Sequence, residues 1–272
     1  MSLSEPVSAA RPVGGARVAA ALRVVDLGKR YFHRSPDRPR TLQERCIGRH
    51  QEVGPRGEYW GLRHVSFSLE PGTALGVIGA NGAGKSTLLR LSCGIGRPDE
   101  GAVQVTGRVN ALLDLNSGFH SELTGRENVF IGAMTAGLRR AEVGRLMDEI
   151  VDFSGLEGFI DDPLRTYSIG MQARLGFAVA MAVLPNCSLL AVDEVLAVGD
   201  SEFSARCLER IRRFLDAGGA VLVASHSMGL VRAFCERALW LRGGHAVRIA
   251  SSAEVTDDYL AAEGAAAAQL PS

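Results

Sequence analysis

The sequence predicts an α/β fold in which a largely parallel sheet is covered by helices on both faces and carries an inserted helical lobe. Strand and helix patterns alternate in the second half of the chain, at residues 189–192, 201–215, 220–224 and from 228 onward. Such alternation is typical of parallel strands joined by helical crossovers. A purely helical stretch that begins near residue 121, between two strand patterns, predicts the lobe.

Short strand patterns also occur in the first half, at residues 22–25, 64–69, 74–78, 101–106 and 109–113. The first two alternate or stay apolar over short lengths, as edge strands do, whereas 74–78 is apolar throughout and is expected to be buried. Near the end, residues 239–249 are expected to form a hairpin that turns at Gly243 and Gly244.

The lobe has clear helical signals. Thr124 and Glu127 form the capping-box pattern that opens a helix, expected to run through Ala136. Residues 140–153 then carry apolar side chains at helical spacing.

Domain boundaries follow from these patterns. We expect a disordered tail at residues 1–20 and one main domain at 21–250, followed by a short C-terminal helix and tail at 251–272. Within the main domain, residues 33–60 are rich in arginine with little apolar periodicity, so an inserted loop with one helical turn around 42–47 is expected. The helical subdomain should cover residues 115–185.

Composition excludes several classes of function. The 272 residues are 46% apolar, and 30 basic side chains balance 30 acidic ones, so no basic surface for nucleic acid is expected. The most apolar stretch, 175–198, is interrupted by polar residues and does not predict a membrane span. Five cysteines without a C-x-x-C pair suggest neither a disulfide framework nor a zinc site and indicate a cytosolic chain.

The strongest chemical signal is a phosphate-binding loop directly after the strand at 74–78. The residues from Gly79 to Thr87 match G-x-x-x-x-G-K-S, in which glycines let backbone N–H groups converge on phosphate oxygens. Lys85 can reach the outer phosphates and Ser86 can bind magnesium. Helix formers follow at once, so the loop also lies at a helix N-terminus, which favours an anion. The alternative is a glycine-rich turn without a ligand.

Three further features lie in the second half. Asp193 and Glu194 end an apolar strand, where they could hold magnesium and assist attack by water, or could form a charge pair at a helix start. Ser168 and Gly170 precede a helix and form a second anion site or a plain helix cap. His226 follows a strand, where a histidine alone is more often structural.

Along the chain these features follow one another as phosphate-binding loop, helical lobe, Ser168 and Gly170, Asp193 and Glu194, the residues 197–200, and His226. In this order, residues 20–250 resemble the ATP-binding subunits of ABC transporters. The resemblance implies a P-loop NTPase of ABC type, with a mixed sheet core, an antiparallel β part and an inserted helical subdomain. It implies ATP and Mg²⁺ as ligands, with Ser86 and Asp193 on the metal, and Lys85, Glu194 and His226 as catalytic residues. Glu194 would be the base or position the water, and His226 would contact the γ-phosphate. The implied nucleotide-binding residues are Tyr31, Gly79, Asn81, Gly82, Ala83, Gly84, Lys85, Ser86, Thr87, Ser168, Gly170 and Asp200.

Some details differ from the family pattern. The signature usually reads Leu-Ser-Gly-Gly-Gln, whereas residues 167–171 read Tyr-Ser-Ile-Gly-Met, which keeps the serine and the second glycine. The family's glutamine before the helical lobe is missing, so Asn116 or the backbone near 117–118 must replace it, or that contact is absent. Tyr31 is the best candidate to stack on adenine, with Phe32 and Tyr59 as alternatives.

Residues 111–128, 167–177 and 194–200 are similar to the ATPases that export O-antigen, teichoic acid, capsule or other cell-wall polysaccharides. The resemblance implies a homodimer that holds two ATP molecules, an integral membrane permease as partner, a lipid-linked polysaccharide as cargo and no nucleic acid. It places the chain peripherally on the cytoplasmic face of the inner membrane. Another ABC exporter, for drugs or lipids, a soluble ABC protein and a non-hydrolysing nucleotide sensor remain alternatives.

Overall fold

A computed structural model of the protein describes residues 20–32, 57–113, 118–193 and 200–267. Two sheets form the framework of these residues. The smaller sheet is antiparallel and has the strand order β2-β1-β4. Its strands are β1 (Leu22–Phe32), β2 (Glu58–Leu69) and β4 (Glu100–Val105).

The larger sheet has six strands in the order β5-β6-β7-β3-β8-β9. All neighbours are parallel except β9, which pairs antiparallel with β8 at the edge. The strands are β3 (Ala74–Ile78), β5 (Val109–Leu112), β6 (Leu189–Asp193), β7 (Ala220–Ala224), β8 (Arg237–Arg242) and β9 (His245–Ser251). Every residue of β3 and β7 is buried, which explains why these strands read as continuous apolar runs.

Seven α-helices lie in the described part of the chain. They are α1 (Lys85–Ser92), α2 (Gly125–Thr135), α3 (Arg140–Ser154), α4 (Ile169–Val183), α5 (Ser201–Asp216), α6 (Met228–Phe234) and α7 (Ser252–Ala267). Two apolar clusters share the large sheet: one includes Phe177 and Phe203 from α4 and α5, and the other includes Leu88 from α1. The predicted α/β fold, with its antiparallel part and inserted helices, is confirmed.

The helices α2, α3 and α4 form a subdomain with its own apolar cluster, which includes Val129, Ile150 and Leu175. The predicted capping box is present, because the Thr124 side chain accepts from the Glu127 N–H while the Glu127 carboxylate accepts from the Thr124 N–H. The subdomain is therefore a separately packed unit attached to the large sheet through α4.

Several element boundaries differ from the sequence prediction. β1 extends to Phe32 and β2 begins at Glu58, inside the range 33–60 expected to be a loop, because Tyr31 and Tyr59 pair across the two strands. α4 begins at Ile169, because Ser168 caps it, so Gly170 lies in the first turn of the helix instead of preceding it. α7 extends to Ala267, and its Tyr259 ring packs edge-on against Trp240 of β8. The helical turn expected at 42–47 lies outside the described residues.

Within the described ranges, no helix combines the length and apolar character that a transmembrane span requires.

Candidate functional site

The phosphate-binding loop joins β3 to α1, and two of its glycines are required by close packing. Gly79 has φ +147°, and a Cβ there would lie 2.3 Å from the Leu241 carbonyl oxygen. Gly84 has φ +105°, and a Cβ there would lie 2.6 Å from the Gly61 carbonyl oxygen. Because a side chain at either position would clash with neighbouring backbone, the sequence folds here only with glycine.

The Lys85 ammonium group lies inside the curve of this loop. Its Nζ donates to the carbonyl oxygens of Gly79 at 2.8 Å and Ala80 at 3.2 Å. It also lies 3.2 Å from Nε2 of His226. The Lys85 side chain is 6% exposed. The backbone of the loop therefore holds the positive charge of Lys85 at a position where it can contact an anion bound in the loop.

A cavity of about 670 Å³ opens over the loop and brings together most of the predicted nucleotide-binding residues. It is lined by Tyr31, Tyr59, Gly61, Asn81, Gly82, Ala83, Gly84, Lys85, Ser86, Thr87, Arg90, Leu113 and Asp193. The Tyr31 and Tyr59 rings lie 5.7 Å apart, nearly parallel, and the Tyr31 hydroxyl is 3.2 Å from the Thr87 hydroxyl. Phe32 is 59% exposed and is not among the lining residues.

Strand register explains how distant residues reach this cavity. Asp193 at the end of β6 pairs with Ala224 of β7, and Ala224 pairs with Val77 of β3. The carboxyl ends of three parallel strands therefore meet at one edge, as in ligand sites of open α/β sheets. His226 follows β7 at this edge. Glu194, predicted as the catalytic base, lies outside the described residues.

The signature residues lie at the start of α4. The Ser168 hydroxyl accepts from the Met171 N–H at 3.2 Å, so the helix-cap reading is correct, and the anion site remains a prediction. Gly170 is exposed, and neither residue lines the cavity over the loop. Ile169, which replaces a glycine of the family pattern, is 83% exposed. The described structure therefore does not bring the signature to the phosphate-binding loop of the same chain.

Asp200 is bound to its own chain. One carboxylate oxygen accepts from the Phe203 N–H at 2.8 Å and caps α5, while the other pairs with Arg174 of α4. The hydrogen bond from the Phe203 amide is the largest cause of the lowered pKa of Asp200. The guanidinium group of Arg174 also lies over the Phe203 ring. Sequence reasoning missed Arg174, because an ion pair across 26 residues leaves no local pattern.

Asn128 is a second residue that sequence reasoning missed. Its side chain is fully buried, and its Oδ1 accepts from the His120 N–H at 2.7 Å. Its Nδ2 lies within 3.1 Å of three carbonyl oxygens, those of His120, Leu123 and Thr124. One amide therefore fixes the entry into the helical subdomain, close to where the family's glutamine is missing. Asn116 and Ser117 lie outside the described residues.

Sequence comparison gives a consistent result. The profile of the "ABC transporter" family matches residues 62–197. The O-antigen export system ATP-binding protein RfbB of Klebsiella pneumoniae is 47% identical over 197 residues, which are 72% of this chain and 79% of that protein. The protein of the same name from Myxococcus xanthus is 46% identical over 208 residues, 76% of this chain. The match spans only 47% of that longer relative.

A teichoic acids export ATP-binding protein, TagH of Bacillus anthracis, is 37% identical over 204 residues, which are 75% of this chain and 37% of TagH. Among solved structures, an ATP-binding subunit of an ABC transporter superposes with a TM-score of 0.67 at 20% identity, over 88% of this chain and 93% of that chain. The dimeric ATP-binding cassette MJ0796 bound to ADP and Pi gives 0.66 at 20% identity, over 85% and 98%. These structures share the fold.

Proposed function

Because the chain belongs to the ABC transporter family, we propose that it is the ATP-hydrolysing subunit of an exporter for a lipid-linked cell-surface polysaccharide. The observation that carries the ATPase assignment is the cavity in which Lys85, Ser86 and Asp193 meet. The names of the O-antigen and teichoic acid relatives support the cargo.

The loop fits a triphosphate. It offers backbone N–H groups between Asn81 and Ser86, a helix N-terminus and the ammonium group of Lys85, all of which favour phosphate oxygens. The Ala83 N–H is the exception, because it donates to the Ala80 carbonyl oxygen at 3.1 Å and so shapes the loop. Gly82 has φ +77° with no heavy atom within 4 Å of a Cβ, so its left-handed backbone, rather than close packing, favours glycine here.

Magnesium fits the same cavity. The Ser86 hydroxyl and the Asp193 carboxylate supply the oxygen ligands that this ion prefers, and both line the cavity. When bound, the ion would neutralise charge on the phosphate oxygens during transfer.

In the proposed hydrolysis, water attacks the γ-phosphorus, the bond to the bridging oxygen of ADP breaks, and ADP and phosphate are released. Glu194 accepts a proton from the water or orients it, since it follows Asp193 directly. His226 lies 3.2 Å from the Lys85 ammonium group, so it would contact the γ-phosphate that Lys85 binds. Tyr31 and Tyr59 form the aromatic surface for adenine at the cavity wall.

We assign the signature to a second copy of the chain. Ser168 and Gly170 lie at the N-terminus of α4 and do not line the cavity over the loop. A helix N-terminus attracts an anion, so these residues can bind the triphosphate held by a partner. Two copies would then clasp two ATP molecules. We assign Asp200 to the same contact, because it does not line the cavity over its own loop.

The proposed partner in the membrane is an integral permease that contacts the helical subdomain around residues 115–165. The chain then lies on the cytoplasmic face of the inner membrane. The relatives' export functions support this arrangement, because an ATPase without a spanning helix in its described ranges needs a membrane partner to drive export.

Deleting the gene in its host tests the cargo. The proposal predicts loss of the surface polysaccharide and accumulation of its lipid-linked form inside the cell, restored by the parent chain but not by Lys85→Ala. If the deletion leaves the glycan intact and changes drug resistance or lipid export, a different cargo is established.

A phosphate-release assay tests hydrolysis separately. If the purified chain binds ATP without releasing phosphate, alone and with its permease, it is a nucleotide sensor.

A further inference from the structure

The turn between β8 and β9 packs directly against the phosphate-binding loop. The Gly244 N–H donates to the Ala83 carbonyl oxygen at 3.1 Å. The Gly244 carbonyl oxygen accepts from the Arg63 N–H of β2 at 2.8 Å. Gly244 is buried, whereas the preceding Gly243 is exposed. One residue of the turn thus bridges β2 and the loop, 161 residues away from Ala83 in sequence.

The hairpin packs closely against both β2 and the loop. A Cβ at Gly244 would lie 3.0 Å from the Gly61 carbonyl oxygen. In the loop, a Cβ on Gly79 would lie 2.3 Å from the carbonyl oxygen of Leu241, at the end of β8. The hairpin therefore packs against the loop at Gly79 and hydrogen-bonds to it at Ala83. A side chain at Gly79 would clash with the hairpin backbone, and one at Gly244 would crowd the backbone of β2.

Peptide geometry connects this support to the ligand site. The Ala83 carbonyl and the Gly84 N–H belong to one planar trans peptide group, so they point in opposite directions. The Gly244 N–H holds the carbonyl on the hairpin side. The Gly84 N–H must then point away from the hairpin, and Gly84 lines the nucleotide cavity.

We propose that Gly244 is a positioning residue for phosphate binding, which acts by fixing the Ala83–Gly84 peptide so that the Gly84 N–H faces the diphosphate part of the nucleotide. This inference rests on the proposed function. Backbone N–H groups of such loops bind the α- and β-phosphates, which ADP and ATP share. The effect should therefore be equal for the two nucleotides.

The test compares Gly244→Ala with Gly243→Ala. Both glycines have positive φ, +80° and +54°, so alanine strains the backbone in both variants. A Cβ at 244 would press on Gly61 of β2 and shift the N–H that donates to Ala83, whereas nothing lies within 4 Å of a Cβ at 243. Gly243→Ala is therefore a matched control for strain in the turn.

Calorimetry with ADP, and separately with inorganic tripolyphosphate, should show roughly 10-fold weaker binding for Gly244→Ala, the effect of one misdirected hydrogen bond. Gly243→Ala should bind within about twofold of the parent. In steady-state assays, KM for ATP should rise by the same factor while kcat stays nearly constant, because the contact is made equally in the ground and transition states.

The inference is overturned if folded Gly244→Ala binds ADP like the parent, or if Gly243→Ala loses as much affinity. If Gly244→Ala does not fold, amide hydrogen exchange of the parent decides instead. Bound ADP should slow exchange at Gly244, and unchanged exchange contradicts the inference. A parent chain that binds neither ADP nor ATP overturns the proposed function itself.

Discussion

The Nζ atom of Lys85 lies 3.2 Å from Nε2 of His226, although 141 residues separate them. The contact exists because β3 and β7 are neighbours in register, so the residues that follow each strand meet at the same edge of the sheet. The ammonium group also donates to the carbonyl oxygens of Gly79 and Ala80. Entering phosphate oxygens would replace these partners.

Replacing Lys85 with alanine should weaken ATP binding by about 10- to 100-fold, because a charge-assisted contact to phosphate contributes about 1.5–3 kcal/mol. Lys29, the only other lysine in the chain, is the matched control, since it lies on β1 of the smaller sheet and pairs with Asp99. Fluorescent nucleotide titration measures both variants. Equal ATP affinities for Lys85→Ala and Lys29→Ala would show that Lys85 does not bind the nucleotide.

Replacing Tyr59 with alanine should weaken ATP binding by at least about 5-fold and leave tripolyphosphate binding unchanged, because stacking on a base contributes about 1–3 kcal/mol. Tyr31→Ala should also weaken ATP binding, since both rings line the cavity, but it removes the hydroxyl contact with Thr87 of the loop as well. Phe32→Ala is the control, because this exposed ring is not among the lining residues. A loss shared by ATP and tripolyphosphate would show that the tyrosines support the loop rather than the base.

The thiols of Cys93, Cys207 and Cys235 should resist alkylation in the folded chain. Burial raises the pKa of each to about 12, so the reactive thiolate is scarce near neutral pH. From pH 9, the model-compound value, upward, the unfolded chain loses thiol protons that the folded chain keeps, so stability should fall between pH 9 and 12. Mass spectrometry after iodoacetamide treatment at pH 8 checks the first expectation. Rapid labelling of these three sites without denaturant would contradict it.

Much of the fold follows from local patterns. The apolar runs of β3, β6 and β7 and the Gly79–Thr87 motif are continuous in sequence, so they predict the parallel sheet and the position of the phosphate-binding loop. The capping box at Thr124 likewise depends on residues only three positions apart.

The other features of the fold and of the site depend on pairing between residues far apart in sequence, which a local pattern does not encode. β1 reaches Phe32 only because β2 returns beside it at Glu58, after a long intervening segment. Arg174–Asp200 and Gly244–Ala83 join residues 26 and 161 positions apart. In the sequence, Asn128 is an ordinary polar residue of a helix. Its role depends on contacts with the backbone of His120, which the sequence pattern does not predict.

The proposal that two copies share each nucleotide also gives a charge-based prediction for Gly170. Aspartate in the first turn of α4 suits the helix, because the macrodipole favours acids there. It would however repel the triphosphate of a partner. Gly170→Asp should therefore fold normally and bind ATP in its own loop, yet lose ATPase activity by at least about 10-fold through an unpaired like charge. Gly144→Asp on α3, where a Cβ meets nothing within 4 Å, is the control. Full activity of Gly170→Asp would exclude the signature from the site.

The molar mass of Glu194→Gln with MgATP, measured by light scattering after size exclusion, tests the central proposal most directly. If ATP is clasped between two copies, this hydrolysis-impaired variant should elute at twice the 28.9 kDa chain mass with ATP and at the single mass without it. Adding Gly170→Asp should restore the single mass. A Glu194→Gln chain that stays monomeric with saturating MgATP, or a dimer that persists with Gly170→Asp, would contradict the account.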